Sequence, residues 1–166
     1  MRYLYGKEED EALDFINKAI EIAKDSSCER SRCGSVIVSG GGKEGKIIGE
    51  GYNSPPGDLE EQRRCNVSKD SYDEKVTDKT CCVHAEQRAI MTTLKRNPEK
   101  IIGSRLYFVR IDENFELVKA GEPYCTICSK MALDTGIEEF VLFHDRGICV
   151  YNTREYNNLS FDYKKK

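Results

Sequence analysis

Apolar positions near the start of the chain recur with helical spacing. Within "EEDEALDFINKAIEIAKDSS" (8–27), Leu13, Ile16, Ile20 and Ala23 share one face, which predicts an amphipathic helix. The pattern then shortens. "GSVIVSG" (34–40) and "KIIGEGYN" (46–53) are β-branched runs bounded by glycines, read as two strands joined by the turn "GGGKEG". From Asn53 to Thr80 no periodicity survives, and a loop that long in a compact domain needs something to tie it down. Periodicity returns in "HAEQRAIMTTLKRN" (84–97, helix), "GSRLYFVRID" (103–112, strand), "CTICSKMALDTG" (125–136, helix stopped at Gly136) and "EEFVLFH" (138–144, strand). "REYNNLSFDY" (154–163) reads as a last short helix or as chain docked on the body. Two strands followed by helix–strand–helix–strand predict one α/β domain, a mixed sheet with helices packed on it, over residues 1–166. Residues 53–80 form its long loop and residues 152–166 its C-terminal docking segment.

Composition narrows the function classes. A formal charge of −3 gives no general electrostatic reason to bind nucleic acid or an anionic membrane, and Lys164-Lys165-Lys166 reads as a solvated terminus. No apolar run approaches the roughly 20 residues of a membrane span. "MRYLYGKEEDEA" lacks the apolar stretch of a secretory signal, so a cytoplasmic location is expected and the sequons at 66–68 and 158–160 are read as idle. In a reducing compartment, eight cysteines are metal ligands, reactive thiols or core residues rather than disulfides. Gly40–Lys46 matches a phosphate loop, G-x-x-x-x-G-K. Ile47, however, occupies the place of the magnesium-binding Ser or Thr, and a strand-like run follows, so the stretch is a hairpin turn.

The chemistry concentrates at two helix starts. "CCVHAEQRAI" (81–90) puts His84 two residues before Glu86, and "PYCTICSK" (123–130) places Cys125 and Cys128 as a C-x-x-C pair. One imidazole and two thiolates make three zinc ligands and leave a fourth position open, the mark of a catalytic rather than a structural zinc. Helix N-termini favour thiolates, and a bound zinc lowers the pKa of its water to about 7. Glu86 lies close enough to move protons without having to ligate the metal.

H-A-E followed by P-x-C-x-x-C resembles the zinc-dependent cytidine/deoxycytidylate deaminase superfamily. "CGSVIV", "KIIGEGYNSPPG", "HAEQRAI" and "CTICSKMALDTGIEEFVLF" stand in the order of its deoxycytidylate-type members. The resemblance implies a three-layer α/β/α sandwich with a five-stranded mixed sheet. It makes His84, Cys125 and Cys128 zinc ligands and Glu86 the proton shuttle, and it sets Asn53 on the substrate sugar and the Ala85 backbone at the pyrimidine edge. It implies hydrolysis of a cytosine nucleotide or nucleoside, with dCMP to dUMP favoured, by attack at C4. The expected partner is that small molecule, in a homo-oligomer, with neither membrane nor nucleic acid. Two positions depart from the pattern: Tyr124 intervenes between Pro123 and Cys125, and Arg88 stands where deoxycytidylate-type enzymes often carry Asn.

Plainer readings stand beside these. Asn53, before Ser-Pro-Pro, serves a turn as readily as a substrate. Arg63, Arg64 and Arg88 are solvated charges or phosphate contacts, His144 is a surface or rim residue, and Cys149 is a small core hydrophobe. Deamination of another base, and a zinc-stabilised module without catalysis, are the competing functions; Glu86 argues against the second. Cys28, Cys33, Cys65, Cys81 and Cys82 remain unassigned. A second, structural zinc clipping the 53–80 loop would use Cys28 and Cys65, placed as in some deoxycytidylate-type members, with Cys81 or Cys82 as third ligand and Cys33 or the other paired thiol as fourth; reduced thiols are the alternative.

Overall fold

Strands covered on both faces need apolar side chains at successive positions, because neighbours point to opposite sides. In the computed structural model, which describes residues 1–40 and 45–164, the central strands meet that demand. The elements run β1 (Arg2–Tyr3), α1 (Lys7–Lys24), β2 (Arg32–Val38), β3 (Ile47–Tyr52), α2 (Ala85–Arg96), β4 (Arg105–Ile111), β5 (Leu117–Val118), α3 (Thr126–Asp134), β6 (Glu139–His144), β7 (Gly147–Asn152) and α4 (Thr153–Asp162). Val36 and Val38 of β2, Tyr107 and Val109 of β4, and Ile148 and Val150 of β7 pack toward α1. Their neighbours Ile37, Leu106 and Cys149 face the other way, with Ala89 of α2, Ala132 of α3 and Tyr156 of α4. The expected three layers are therefore present, α1 on one side and α2, α3 and α4 on the other.

The strand order is β1-β7-β6-β4-β2-β3, with β5 also on β4. Only β4 and β6 are parallel, so the sheet is mixed as expected. Five strands were expected and seven are found among the described residues. The five long ones match the expectation; the two additions, β1 and β5, have two residues each and carry no periodicity to read. β3 follows β2 antiparallel as a hairpin, but the turn itself falls on residues 41–44, outside the described residues, as do Lys165 and Lys166.

The face of α1 is rotated from the expectation. Its buried residues are Ala12, Ile16, Ala19 and Ala23, while Leu13 is 37 % exposed. The cause is close packing. A Cβ on Gly34 would lie 2.1 Å from the Ala19 carbonyl oxygen and 2.8 Å from the Ala23 nitrogen, so small residues must face the sheet there. On the opposite side Gly51 gives α2 the same approach: its Cβ would fall 2.5 Å from both the Ala85 oxygen and the Ala89 nitrogen. The start of α2 is thereby fixed against β3. The 53–80 loop carries three short 3-10 turns, Pro56–Asp58, Glu60–Gln62 and Lys69–Ser71. No helix among the described residues is long and apolar enough to cross a membrane.

Candidate active site

His84 caps α2 and Cys125 caps α3, so the two helix starts converge on one place. The His84 backbone is held from both sides. Its N–H donates to Gln87 Oε1 (2.9 Å), and the preceding Val83 N–H donates to the Ser54 carbonyl (2.9 Å). His84 Nδ1 lies 3.2 Å from Cys128 Sγ and 3.3 Å from Cys125 Sγ, and the three ligand atoms lie within 4.8 Å of one another. Tetrahedral zinc bonds to nitrogen and sulfur would set those atoms about 3.6 Å apart. The donor set fits zinc in both type and spacing.

The electrostatics suit a metal and a proton carrier. Cys128, ahead of His84, holds the Cys125 thiol down at about 4, and Cys128 itself is raised well above the usual range, first by Cys125 and then by burial. The hydrogen bond to Cys125 lifts His84 to about 9 against the effect of burial. Zinc binding requires a neutral imidazole and two thiolates, so protons leave the cluster as the metal binds. Glu86, only 5 % exposed, is pushed up to about 7 by burial and then by the Cys125 thiolate. A carboxyl group poised there can both accept and donate a proton at neutral pH.

His84, Glu86 and Cys125 line a cleft of about 190 Å³, with Cys128 buried behind them. Ala85 and Glu86 stand in its wall, with Phe108 of β4, Tyr124 and Tyr156 as aromatic surfaces. Tyr156 is buried and stacked on Phe140 at 4.0 Å, so the docking segment read at the C-terminus is a helix that reaches the cleft. Tyr124 is half exposed and its ring lies 5.7 Å from that of Tyr163. Sequence reasoning passed over Phe108 and Tyr156, which carry only the apolar signal of core residues.

The family model for the cytidine and deoxycytidylate deaminase zinc-binding region matches residues 9–144. The chain belongs to this deaminase family. It is similar to the deoxycytidylate deaminase of Mycobacterium phage D29, 32% identical over 133 residues, covering 76% of this chain and 89% of that one. Among solved structures the fold matches dCMP deaminase from cyanophage S-TIM5 (TM-score 0.54, 23% identity, 81% of this chain and 82% of that chain). It also matches cytidine deaminase from Burkholderia pseudomallei (TM-score 0.55, 16% identity, 87% and 94%). The protein is thus an enzyme of the cytidine/deoxycytidylate deaminase type, with a His/Cys/Cys cluster in its zinc-binding region.

The remaining candidate residues of this deaminase divide clearly. Asn53 lines the cleft and also knits the backbone: its Oδ1 accepts from the Ser26 hydroxyl (2.7 Å) and the Cys33 N–H (2.7 Å), and its Nδ2 donates to the Ser31 carbonyl (2.8 Å). The backbone role of Asn53 is thus observed, in a side chain that also faces the cleft. Arg88 is absent from the cleft lining. Its guanidinium donates to Ser54 Oγ (2.6 Å) and the Pro55 carbonyl (2.9 Å) and pairs with Asp58. Arg63 is bound to Glu60 and the Ser27 carbonyl, and Arg64 to Gln62. His144 ends β6 away from the cleft, with its Nε2 3.0 Å from the Tyr151 hydroxyl, and Cys149 is buried in the core. Cys28, Cys65 and Cys82 bring their sulfurs within 4.8 Å of one another, and Cys81 lies 3.7 Å from Cys65. Cys33 lines the same cleft and approaches the Ser31 hydroxyl at 3.5 Å.

Proposed function

We propose that the chain hydrolyses the 4-amino group of a cytosine nucleoside or nucleotide, with dCMP as the favoured substrate, to give the uracil product and ammonia. The observation that carries this reading is the cluster of His84, Cys125 and Cys128, with His84, Cys125 and the buried Glu86 carboxyl in the wall of one cleft. Zinc held by the three ligands supplies the Lewis acidity that activates water near neutral pH. Glu86 takes a proton from the water that adds at C4 and delivers it to N3. It then takes the remaining proton from the C4 hydroxyl and passes it to the amine, so that ammonia leaves as the carbonyl forms. The N–H of Ala85, in the first turn of α2 and without an intrahelical acceptor, meets the pyrimidine edge. The Asn53 amide hydrogen left over from Ser31 meets the sugar. The phage relative, a deoxycytidylate deaminase, supports the nucleotide over the free base.

A second, structural zinc held by Cys28, Cys65, Cys82 and Cys81 belongs to the same reading. Two sulfurs on one tetrahedral zinc stand about 3.8 Å apart, and the 3.7 Å between Cys65 and Cys81 supports such a site. Against the effect of burial, the Glu29 backbone, then Arg63 and Cys81, hold the Cys65 thiol below its usual range.

Ultraviolet assay and ammonia release across cytosine, cytidine, dCMP, dCTP, adenosine and guanine test the substrate, while metal analysis tests the sites. dCMP should be turned over best, and Glu86→Ala should keep its zinc and lose about 10²–10⁴-fold in rate. Two zincs per chain, falling to one in Cys65→Ser, are expected. Best turnover of a free base, or a near-normal rate in the Glu86 variant, would refute the assignment; one zinc in the fully loaded wild type would refute the clip.

A further inference from the structure

Three tyrosines are buried among the described residues, and two of them have their hydroxyls satisfied. The Tyr107 hydroxyl accepts from Arg105 Nη1 at 3.4 Å, and the Tyr151 hydroxyl stands 3.0 Å from His144 Nε2. Tyr156, only 4 % exposed, is the third. Among the described residues its hydroxyl has no hydrogen-bond partner, and the polar side-chain atoms sealed without one are Arg88 Nε and Thr153 Oγ1. The Tyr156 hydroxyl opens instead on the cleft that its residue lines. A tyrosine buried this deeply ordinarily satisfies its O–H, so its partner is to be sought in the cleft. The ring cannot turn away. It stacks on Phe140 at 4.0 Å and 16°, and it meets Tyr151 edge-on at 5.7 Å. The next residue of α4 ties it to α3 beside Cys128, where Ser129 Oγ donates to Asn157 Oδ1 (2.8 Å). Tyr156 thus keeps a fixed register with Cys125 and Cys128. Burial, then the charges of Glu86, Cys125 and Cys128, push it well above the ordinary tyrosine value, so the hydroxyl keeps its proton and faces the reacting end of the cleft.

We propose that the Tyr156 hydroxyl oxygen accepts a hydrogen bond from the 4-amino group of the substrate and holds that group while it becomes ammonia, which makes Tyr156 a further catalytic residue. The inference rests on the deaminase reading above. Its own content is a side chain for the leaving group. α2 supplies Glu86 for N3 and the Ala85 N–H for the pyrimidine edge, so the amino group projects toward the wall built by α3 and α4, where Tyr156 stands. A neutral phenol oxygen has lone pairs to accept with. In the bound base the amino nitrogen is uncharged and conjugated with the ring; once water has added at C4 it is a tetrahedral amine. As Glu86 passes it the proton from the C4 hydroxyl, positive charge builds on the nitrogen. The C4–N4 bond then breaks with its electron pair on ammonia. Tyr156 neither gains nor loses a proton. Its acceptor bond strengthens as the N–H groups become cationic, so it favours the transition state over the bound substrate.

Tyr156→Phe removes the hydroxyl and keeps the ring on Phe140. With dCMP, followed by ultraviolet absorbance and ammonia release, kcat should fall about 10–100-fold with KM little changed, as expected for loss of a hydrogen bond to a charged group. On the 4-methoxy analogue of dCMP, whose leaving group carries no N–H, the variant should match the wild type. Urea denaturation separates this role from a structural one. Tyr156→Phe should keep the wild-type midpoint, since no protein partner is lost, whereas Tyr151→Phe, which loses the bond to His144, should unfold at lower urea. An undiminished kcat on dCMP, equal falls on both substrates, or a midpoint lowered as in Tyr151→Phe would overturn the proposal. A wild type that released no ammonia from dCMP would refute the deaminase reading and this inference with it. An active wild type equalled by Tyr156→Phe would sink the inference alone.

Discussion

Adding one methyl group at Gly51 should impair both stability and catalysis, because the glycine lies under the first turns of α2. A Cβ there would lie 2.5 Å from the Ala85 oxygen and the Ala89 nitrogen and 2.6 Å from Arg88 Cβ. Two of these three atoms are backbone, so no rotamer change relieves the clash. Ordinary contact begins near 3.4 Å, and the helix start must retreat by about 0.9 Å. Overpacking of this kind costs about 1–3 kcal/mol. For a chain of this length that lowers Tm by roughly 2–12 °C. The displaced turn carries Ala85 and Glu86 and follows His84, and a misplacement of about 1 Å in a catalytic group costs on the order of 10²-fold in rate. Urea denaturation, zinc content and kcat measured on Gly51→Ala check the three consequences separately. Gly121→Ala is the control, since nothing lies within 4 Å of the Cβ it would add. If Gly51→Ala stayed within about 0.5 kcal/mol of wild type and kept its rate, the close approach of α2 to β3 would not be what fixes the site.

Two further substitutions probe the supports of the site. Arg88→Ala removes the charge-assisted hydrogen bonds to Ser54 Oγ and the Pro55 carbonyl, beside the Ser54 carbonyl that holds Val83 next to His84. It should cost about 1–3 kcal/mol in urea denaturation, and kcat should fall with the lost registration of His84. Ile16→Ala should cost about 2–5 kcal/mol, whereas Leu13→Ala should stay within about 0.5 kcal/mol; equal losses in thermal denaturation would contradict the rotated face of α1.

What the chain reveals in advance follows from how each signal arises. Strands β2, β3, β4 and β6 and helices α2 and α3 were legible because burial on a sheet face imposes a period on the side chains themselves. The zinc ligands and Glu86 were legible because metal and proton chemistry tolerates few residue types at few spacings. The face of α1 was misjudged for the opposite reason. The most apolar stripe was chosen, while the packed stripe is set by Gly34 in a distant strand, which demands alanines. Arg88 read as an available charge because its partners Ser54, Pro55 and Asp58 arrive through the fold. β7 went unread as a strand, its apolar run "GICVYN" noted only for Cys149.

The contact between Cys65 and Cys81 also bears on how such a chain can diversify. The segment between them leaves and returns at nearly one point, 3.7 Å apart at the sulfurs. The metal-binding cluster and Glu86 lie outside that circuit, at the starts of α2 and α3. A closed circuit accepts added length cheaply, since each doubling of a loop costs only about 0.6 kcal/mol in closure entropy. The stretch between Lys69 and Thr80, which both line the cleft, is therefore open to insertion or grafting of a foreign peptide while the reactive groups keep their framework.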